Sequence, residues 1–251
     1  MKNLRLKLIA CKVFYREVSL LSVECPHFID ATFIRQGLHD TPKLLQETLQ
    51  QTIDRIDAGE DIGTTDTKYK RDFDAILLGY GLCSNGVAGL SSKRYPLVVP
   101  RVDDCIALFL GSRKKYQKVF DENPGTFWYN ASWIESSYTP SKESYEAMYA
   151  YYCEEYGEDN AQYLVEASLI ANYSTVGYIE WDTMPDLGHK AFAKEAARYL
   201  GWQYREFTGS QGFLKDFLHG NWDDERFLYV PPNEQITPVY DGRLIACTEG
   251  S

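Results

Sequence analysis

Short apolar runs alternate with longer amphipathic segments along this chain, and the alternation predicts strands and helices in turn. The segment FDAILLGYG, residues 73–81, contains a continuous apolar run, which is typical of a parallel strand covered on both faces. About eight strands are predicted, in two sets of about four: 4–10, 29–35, 73–81, 95–101, 125–133, 176–181, 202–207 and 226–232. Helices are predicted at 12–24, 40–59, 103–123, 141–157, 158–173, 185–201 and 210–220.

This order of elements predicts an α/β fold with mostly parallel, Rossmann-like strands and flanking helices. We expect the first strand to be central and next to the third. The pattern is compatible with one sheet or with two similar lobes. The predicted parts are an N-terminal α/β lobe at 1–124, a C-terminal α/β lobe at 125–236, a loosely attached tail at 237–251 and a surface loop at 60–72.

The net negative charge of the chain argues against two classes of binding partner. The 251 residues carry 36 acidic and 26 basic side chains, a formal net charge of −10. Such a surface repels phosphate, so neither nucleic acid nor an anionic membrane is an expected partner. No apolar run approaches the ~20 residues of a membrane span, and no signal-peptide pattern is present, so we expect a cytoplasmic protein. In that reducing compartment the six cysteines should not form disulfides.

Four residues with metal-binding side chains follow the first four predicted strands: Cys11, His39, Cys83 and Cys105. Because the carboxyl ends of parallel strands meet at one edge of a sheet, we expect these side chains to gather there. Three thiols and one imidazole suit a zinc or iron ion, and if only three bind, the fourth position stays open as in catalytic sites. The other interpretation is that each cysteine is a small buried core residue.

Two of the cysteines lie near predicted helix starts, which affects the pKa values expected for their thiols. Cys11 and Cys105 both lie near predicted helix starts, so we expect depressed pKa values and thiolate character for both. We interpret the other cysteines as structural and the other histidines as surface or capping residues: Cys25, Cys153, Cys247, His27, His189 and His219.

The glycine-rich stretch GYGLCSNGVAGL, residues 79–90, surrounds Cys83. Its glycines do not match the dinucleotide fingerprint or the P-loop, so they indicate either a tight turn or backbone amides that cradle an anion. Arg35 and Arg101, both at strand ends, could clamp a carboxylate or a phosphate. The other interpretation is that they form salt bridges with Asp40, Asp103 or Asp104. For a small-molecule ligand with a carboxylate, the predicted ligand-binding residues are Arg35, Arg101, Tyr80, Asn85 and Asp104.

Several motifs carry a family resemblance. They include LIAC, QGLHDTP, DAILLGYGLCSNGVAGL, PLVVPRVDDCIALFLGS and GNWDDERFLYVPP, and they extend to about residue 236. Together they resemble the uncharacterised bacterial and archaeal family known as domain of unknown function 1638 (DUF1638). The four predicted metal ligands fall inside these motifs. The family pattern commonly has His-Asp-Cys at the last cysteine, whereas this chain has Asp103, Asp104 and Cys105, so one candidate ligand is missing.

The resemblance implies an anaerobic host and a link to corrinoid-dependent methyltransferase systems, and hence to one-carbon metabolism. Two functions stay open. The first is a metal-dependent enzyme, with zinc or iron held by thiolates, that acts on a small methylated, amine or thiol substrate. The second is a non-catalytic accessory protein that holds a metal or a corrinoid cofactor for a partner methyltransferase. A Cys₃His site that only staples loops together is a third, structural interpretation.

Overall fold

A computed structural model of the protein describes residues 3–60, 72–170 and 172–249. The chain forms two compact units: unit 1 contains Met1–Arg113 and Gln211–Ser251, and unit 2 contains Lys114–Ser210. The chain therefore leaves unit 1 once and returns to it. This division differs from the predicted boundaries at 124 and 236. The predicted surface loop at 60–72 lies almost wholly outside the described residues.

The elements follow the predicted alternation of strands and helices. The strands are β1 (Arg5–Cys11), β2 (Phe28–Ile34), β3 (Ala75–Gly79), β4 (Leu97–Pro100), β5 (Thr126–Tyr129), β6 (Thr175–Glu180), β7 (Gln203–Thr208), β8 (Phe227–Val230), β9 (Glu234–Pro238) and β10 (Ile245–Glu249). The helices are α1 (Tyr15–Glu24), α2 (Pro42–Asp57), α3 (Cys105–Leu110), α4 (Arg113–Glu122), α5 (Ala131–Ser136), α6 (Lys142–Tyr156), α7 (Glu158–Val165), α8 (His189–Leu200) and α9 (Gly212–Leu218). Short 3₁₀ turns lie at Lys12–Phe14 and Leu38–Asp40, and a π-helical turn lies at Glu166–Ile170.

Unit 1 is built on a five-stranded sheet of order β2-β1-β3-β4-β8, in which β8 alone is antiparallel to its neighbour among the described strands. The prediction that the first strand is central and next to the third is confirmed. In the register, Leu8 of β1 lies beside Ala31 on one side and Leu77 on the other. All five residues of β3 are buried, as its continuous apolar run predicts for a strand covered on both faces.

An apolar stripe on α2 supplies part of the unit 1 core. Leu45, Leu49, Ile53 and Ile56 recur every three or four residues and are almost completely buried. They pack in one cluster with Ile9 of β1 and other side chains of the sheet. Full burial of a side chain of this size contributes about 1.5–3 kcal/mol, so this stripe fixes α2 on the sheet.

Unit 2 contains a three-stranded parallel sheet of order β5-β6-β7. Helix α8 covers it with the small buried residues Ala193, Ala196 and Ala197, which pack in one cluster with Val176 and Tyr129. Both units therefore use parallel strands covered by helices. The number of strands in each differs from the predicted four.

Two local predictions are wrong at residues that end or begin helices. The predicted helix at 103–123 is two helices, because Gly111 takes a left-handed conformation, with φ of +81°, and ends α3. The predicted strand at 125–133 stops at Tyr129, because Asn130 caps α5. The Oδ1 atom of Asn130 accepts a hydrogen bond from the backbone N–H of Trp133 at 2.7 Å.

The C-terminal region belongs to unit 1 and is packed. Helix α9 contacts α1 and α3, and β8 pairs with β4. Strands β9 and β10 form an antiparallel hairpin whose residues Ile236 and Ile245 are buried in the unit 1 core. The tail that we expected to be loosely attached is therefore a hairpin held by apolar burial.

The described residues thus form a mixed α/β fold with one mostly parallel five-stranded sheet. In the part of the chain that the structure describes, no helix is long and apolar enough to cross a lipid bilayer.

Candidate functional site

The carboxyl edge of the unit 1 sheet has a point where the chain connections diverge. Strand β1 leads to β2 on one side, whereas its other neighbour β3 leads to β4 on the opposite side. In open parallel sheets, ligands bind in the crevice at such a switch point, outside the carboxyl ends of the strands. Cys11 is the last residue of β1, and Tyr80 directly follows β3. A thiol and a phenol therefore flank the switch point.

The loops that follow β3 and β4 are joined through their backbones. The N–H of Leu82 donates to the carbonyl oxygen of Val102 at 2.8 Å, and the N–H of Cys83 donates to that of Asp103 at 3.0 Å. These two bonds fix the register of the loops against each other. As a result, Cys83 lies against the segment that carries Cys105.

Gly81 permits this close contact. A Cβ atom at position 81 would lie 2.9 Å from both Cα and N of Asp104, and 2.9 Å from the carbonyl oxygen of Val102. At the start of the loop, a Cβ at Gly79 would lie 2.7 Å from the Cβ of Ala10. These two glycines therefore serve close packing of backbone and strand, which is neither of the two interpretations that the sequence suggested.

Cys83 begins a run of three residues in the left-handed conformation. The φ angle is +47° at Cys83, +56° at Ser84 and +69° at Asn85. This conformation costs L-residues roughly 1–2 kcal/mol each, and less for asparagine. The N–H of Gly86 closes the turn by donating to the carbonyl oxygen of Cys83 at 3.0 Å. Such strain concentrates at functional sites, so it supports a functional role for this turn.

Cys11, Cys83 and Cys105, which we call the thiol cluster, interact electrostatically. Burial raises the pKa of Cys11 to about 11 and that of Cys83 to about 12, and it raises the pKa of Cys105 well above its ordinary value. The next cause at Cys83 and Cys105 is the negative charge of Asp104, followed by the charges of the other thiols. The three sulfurs are therefore close enough to repel one another when ionised.

The expectation of depressed pKa values at Cys11 and Cys105 is wrong. Backbone N–H groups do lower both pKa values, as the positions near helix starts suggested. Desolvation is the larger effect at both residues and raises the pKa instead. The thiols are consequently protonated at neutral pH when nothing is bound beside them.

Tyr80 supplies a polar group without a partner. The residue is only 4% exposed, and its hydroxyl is buried and has no hydrogen-bond partner among the residues described. Burial, followed by the charges of Cys11 and Cys83, raises its pKa far above the ordinary value, so the hydroxyl stays protonated. An unpaired buried donor costs about 1–3 kcal/mol, which a bound ligand or water would recover.

Asp104 fixes the position of Cys105. Its Oδ1 accepts a hydrogen bond from the N–H of Ile106 at 2.9 Å and so caps α3, of which Cys105 is the first residue. The same carboxylate raises the pKa of Cys83 and Cys105. Asp104 therefore both orients the thiol cluster and gives it a negative potential.

Three further predicted residues are not among the groups that act on the thiols. His39 is 44% exposed, and its Nε2 lies 3.4 Å from Oδ1 of Asp40. Arg35 and Asn85 are exposed. The predicted site residues that the structure brings together are Cys11, Tyr80, Cys83, Asp104 and Cys105.

Arg101 makes contacts that the sequence did not predict. Its Nε donates to the carbonyl oxygen of Phe227 at 3.3 Å, and its Nη1 donates to those of Arg243, at 3.3 Å, and Ile245. Neither a carboxylate clamp nor a salt bridge with a neighbouring aspartate describes this arrangement. The guanidinium instead ties the β9–β10 hairpin to β8.

The chemistry of the thiol cluster favours metal binding, whereas its geometry does not. Three thiols beside a carboxylate suit zinc or iron. Among the described residues, however, no group of three or more His, Cys, Asp or Glu side chains is arranged to hold a metal ion. Cys11 and Cys83 also pack against the apolar core, as the alternative interpretation has it. Metal binding stays a prediction and requires the thiols to rearrange.

A polar pair in unit 2 that contains a buried histidine was missed in the sequence. His189, predicted as a surface or capping residue, is 8% exposed, and its Nε2 lies 2.9 Å from Oε1 of Glu135. His189 is the first residue of α8, in the connection that follows β6. The signal that could have found it is its place after a predicted strand, the same criterion that selected His39.

The family model described as "Protein of unknown function (DUF1638)" matches residues 33–218, which is most of the chain, so the chain belongs to this family. The matched range includes Cys83 and Cys105 and leaves Cys11 and the β9–β10 hairpin outside. Neither the curated proteins nor the solved structures give a match.

Proposed function

We propose that this member of the DUF1638 family binds a thiophilic metal ion, zinc or ferrous iron, through Cys11, Cys83 and Cys105, and that it is an enzyme acting on a small molecule. The observation that carries the proposal is the thiol cluster. Three thiols, at the end of β1, in the loop after β3 and at the start of α3, interact electrostatically with one another, and Asp104 acts on two of them, at the carboxyl edge of a parallel sheet. This is the position where such sheets bind ligands.

The protonation of the thiols supports a cationic ligand. Burial and mutual repulsion keep all three thiols protonated while no positive charge lies beside them. A divalent cation supplies that charge and lowers the pKa of the thiols that coordinate it. Binding therefore releases protons and becomes stronger as the pH rises.

Tyr80 and Asp104 complete the proposed site. The Tyr80 hydroxyl, buried and without a partner, donates a hydrogen bond to the small molecule. Asp104 holds the first turn of α3 and so orients Cys105. With three protein ligands, a zinc ion keeps a fourth position, where it lowers the pKa of a bound water or thiol.

The strand order and the family resemblance support the proposed substrate class. The order β2-β1-β3-β4 supports a Rossmann-like assignment for unit 1. The family resemblance suggests a methylated, amine or thiol compound of one-carbon metabolism in the cytoplasm of an anaerobe. Arg101 already donates to three carbonyl oxygens, so we leave it out of the proposed ligand set. The alternative is an accessory protein that holds a metal or corrinoid for a methyltransferase.

Metal analysis of anaerobically purified protein tests the proposal. The wild type, loaded with zinc or ferrous iron and desalted, should retain about one ion per chain. Cys83→Ser should retain far less, because a hydroxyl is a poor ligand for a soft site. Cys153→Ser, which changes a partly exposed cysteine of α6, is the matched control and should retain as much as the wild type.

Cobalt substitution then separates an open metal site from a purely structural one. An open coordination position predicts that a small thiol, 2-mercaptoethanol, changes the absorption spectrum of the cobalt-loaded wild type. An unchanged spectrum would indicate a closed site that only staples the loops. Equal metal content in the wild type and in Cys83→Ser would contradict metal binding by the thiol cluster.

A further inference from the structure

The hairpin formed by β9 and β10 contacts the loop that carries Cys83. The N–H of Gly89 donates to the carbonyl oxygen of Ile236 in β9 at 2.7 Å, and the N–H of Ile236 donates to that of Leu90 at 3.0 Å. Gly89 and Leu90 lie at the end of the glycine-rich stretch 79–90, which contains Cys83. The backbone of β9 is therefore fixed to one end of the Cys83 loop.

The tip of the hairpin, residues 239–244, is bound to the loop after β4. Arg113 makes the connection: its Nη1 donates to the carbonyl oxygen of Gly242 at 2.7 Å, and its Nε donates to Oδ2 of Asp103 at 3.2 Å. Asp103 lies two residues before Cys105 in the chain. One guanidinium therefore joins the hairpin tip to the segment that leads into α3.

Asp103 connects this contact back to the Cys83 loop. Its carboxylate accepts from Arg113, and its backbone carbonyl oxygen accepts from the N–H of Cys83 at 3.0 Å. The hydrogen bonds form a ring that runs from Cys83 through Asp103 and Arg113 to the hairpin, and through β9 to the Cys83 loop again. Because local opening must break the contacts that hold a segment, this ring limits the movement of the two loops that carry thiols.

The base and the tip of the hairpin are held by different kinds of contact. At the base, Ile236 and Ile245 are each 1% exposed and are buried in the unit 1 core. At the tip, the side chains of Arg113 and Asp103 are 40% and 45% exposed. Apolar burial fixes the base without Arg113, so the loss of this arginine should loosen the tip and the loop after β4 while the hairpin stays folded.

We propose that Arg113 is a positioning residue for the thiol cluster, which it holds by joining the β9–β10 hairpin to the loops that carry Cys83 and Cys105. Arg113 acts through Asp103 and not on a ligand. Its effect on metal affinity rests on the proposed function, whereas its effect on the thiols of the metal-free protein does not. The hairpin, which lies outside the residues that the family model matches, is thereby part of the site.

Labelling of individual cysteines in the full, metal-free chain tests the proposal. The protein is treated with iodoacetamide at constant pH, and mass spectrometry of its peptides gives a separate rate for each cysteine. In Arg113→Gln, Cys83 and Cys105 should react about fivefold faster than in the wild type, because the ring loses the hydrogen bonds of a charged, partly exposed group. Cys25, a unit 1 thiol that donates to the carbonyl oxygen of Leu218 at 3.4 Å, should react at the wild-type rate.

Arg94→Gln is the matched control. Arg94 is an arginine of unit 1 with a similar side-chain exposure, 44% against 40% for Arg113, and it also pairs with an aspartate, Asp72. It precedes β4 and so lies at the opposite end of that strand from Asp103. The labelling rates of both cysteines of the ring should be unchanged in Arg94→Gln.

A second variant tests whether Arg113 acts through Asp103. Asp103→Ala removes the carboxylate and keeps the backbone carbonyl oxygen that accepts from Cys83, and it should also raise the two labelling rates. The double variant should react no faster than Arg113→Gln alone, because both changes break the same ring. Additive increases would contradict a connection through Asp103.

Zinc affinity, measured by competition with a chelator, tests the part that rests on the proposed function. Arg113→Gln should bind zinc about fivefold more weakly than the wild type, in line with the loosened loops. A wild type that binds no zinc, with the labelling rates as expected, would overturn the proposed function and leave the positioning role supported. Equal labelling rates in the wild type and in Arg113→Gln, or an equal increase at Cys25 or in Arg94→Gln, would overturn the positioning role.

Discussion

Unit 1 and unit 2 both end parallel strands at an edge that carries buried polar or reactive side chains, but the chemistry of the two edges differs. The unit 1 edge has three thiols, a phenol and the negative charge of Asp104. The unit 2 edge has an amide, an indole and an imidazole that donates to a carboxylate. The strands end in the same way in both units, and the residues at the strand ends determine the chemistry of each edge.

The two edges also differ in how they are held together. In unit 1, backbone hydrogen bonds join the loops after β3 and β4, and Gly81 allows the backbones to touch. In unit 2, side chains hold the edge: Asn130 caps α5, and the hydroxyl of Tyr129 donates to the carbonyl oxygen of Pro140 at 2.6 Å. A substitution that adds side-chain atoms should therefore destabilise the unit 1 edge most. A substitution that removes a polar atom should destabilise the unit 2 edge most.

Gly81→Ala should lower the free energy of unfolding more than any other change proposed here. Its methyl group would lie 2.9 Å from backbone atoms of Asp104 and Val102, which cannot turn away as a flexible side chain can. We expect a loss of about 3 kcal/mol in the free energy of unfolding, the upper part of the range for overpacking. Because the loops must separate, proposed metal binding by the thiol cluster should fall as well. Urea unfolding and metal analysis measure the two effects.

The control for this substitution is Gly201→Ala in unit 2. Gly201 has a left-handed conformation, with φ of +69°, but a Cβ there would meet nothing within 4 Å. It should cost roughly 1–2 kcal/mol, the penalty of the left-handed conformation alone. If Gly81→Ala costs no more than this control, the loops after β3 and β4 are not held by close backbone contact.

Alkaline pH should have the second largest effect on the free energy of unfolding, because it ionises, in the unfolded chain, a thiol that unit 1 buries. Folding raises the pKa of Cys11 from its ordinary value of 9.0 to about 11. Above pH 9 the unfolded chain releases this proton while the folded chain keeps it, so the free energy of unfolding falls as the pH rises towards 11. Between about pH 8.5 and about pH 10.5, metal-free wild type should lose about 2 kcal/mol more than Cys11→Ser.

Urea unfolding at the two pH values measures this difference. Cys153→Ser, which changes a thiol in α6 of unit 2, controls for the loss of one cysteine and should follow the wild type. Equal losses in the wild type and in Cys11→Ser would mean that Cys11 is not buried beside the other thiols in solution.

Local sequence signals predicted the elements of both units better than their assembly. The apolar run of β3 fits only a buried strand, and the stripe on α2 fits only a helix on a sheet, so both were found. The break at Gly111 was missed, because the apolar periodicity continues across it. The return of β8 to unit 1 depends on its pairing with β4, a contact between residues more than a hundred positions apart that no local pattern reports.

In the candidate site, too, local positions were predicted from the sequence and the surroundings of the side chains were not. The positions of Cys11, Cys83 and Cys105 after successive strands predicted that they would be neighbours. The direction of their pKa shifts could not be predicted, because it depends on how deeply the loops bury the sulfurs. The contacts of Arg101 depend on a hairpin that the sequence suggested was loose.

Two tyrosine-to-phenylalanine changes should give the smallest effects, and they compare the two edges directly. Tyr129→Phe removes a buried hydroxyl that donates to the carbonyl oxygen of Pro140, so the carbonyl loses its partner. We expect it to lower the free energy of unfolding by about 1.5 kcal/mol. Tyr80→Phe removes a buried hydroxyl that has no partner among the described residues, so metal-free protein should lose about 0.5 kcal/mol at most, or gain stability. Urea unfolding of both variants measures this. A loss at Tyr80 as large as that at Tyr129 would show that the Tyr80 hydroxyl already has a partner in the folded protein, and it would remove the main reason to assign it to a ligand.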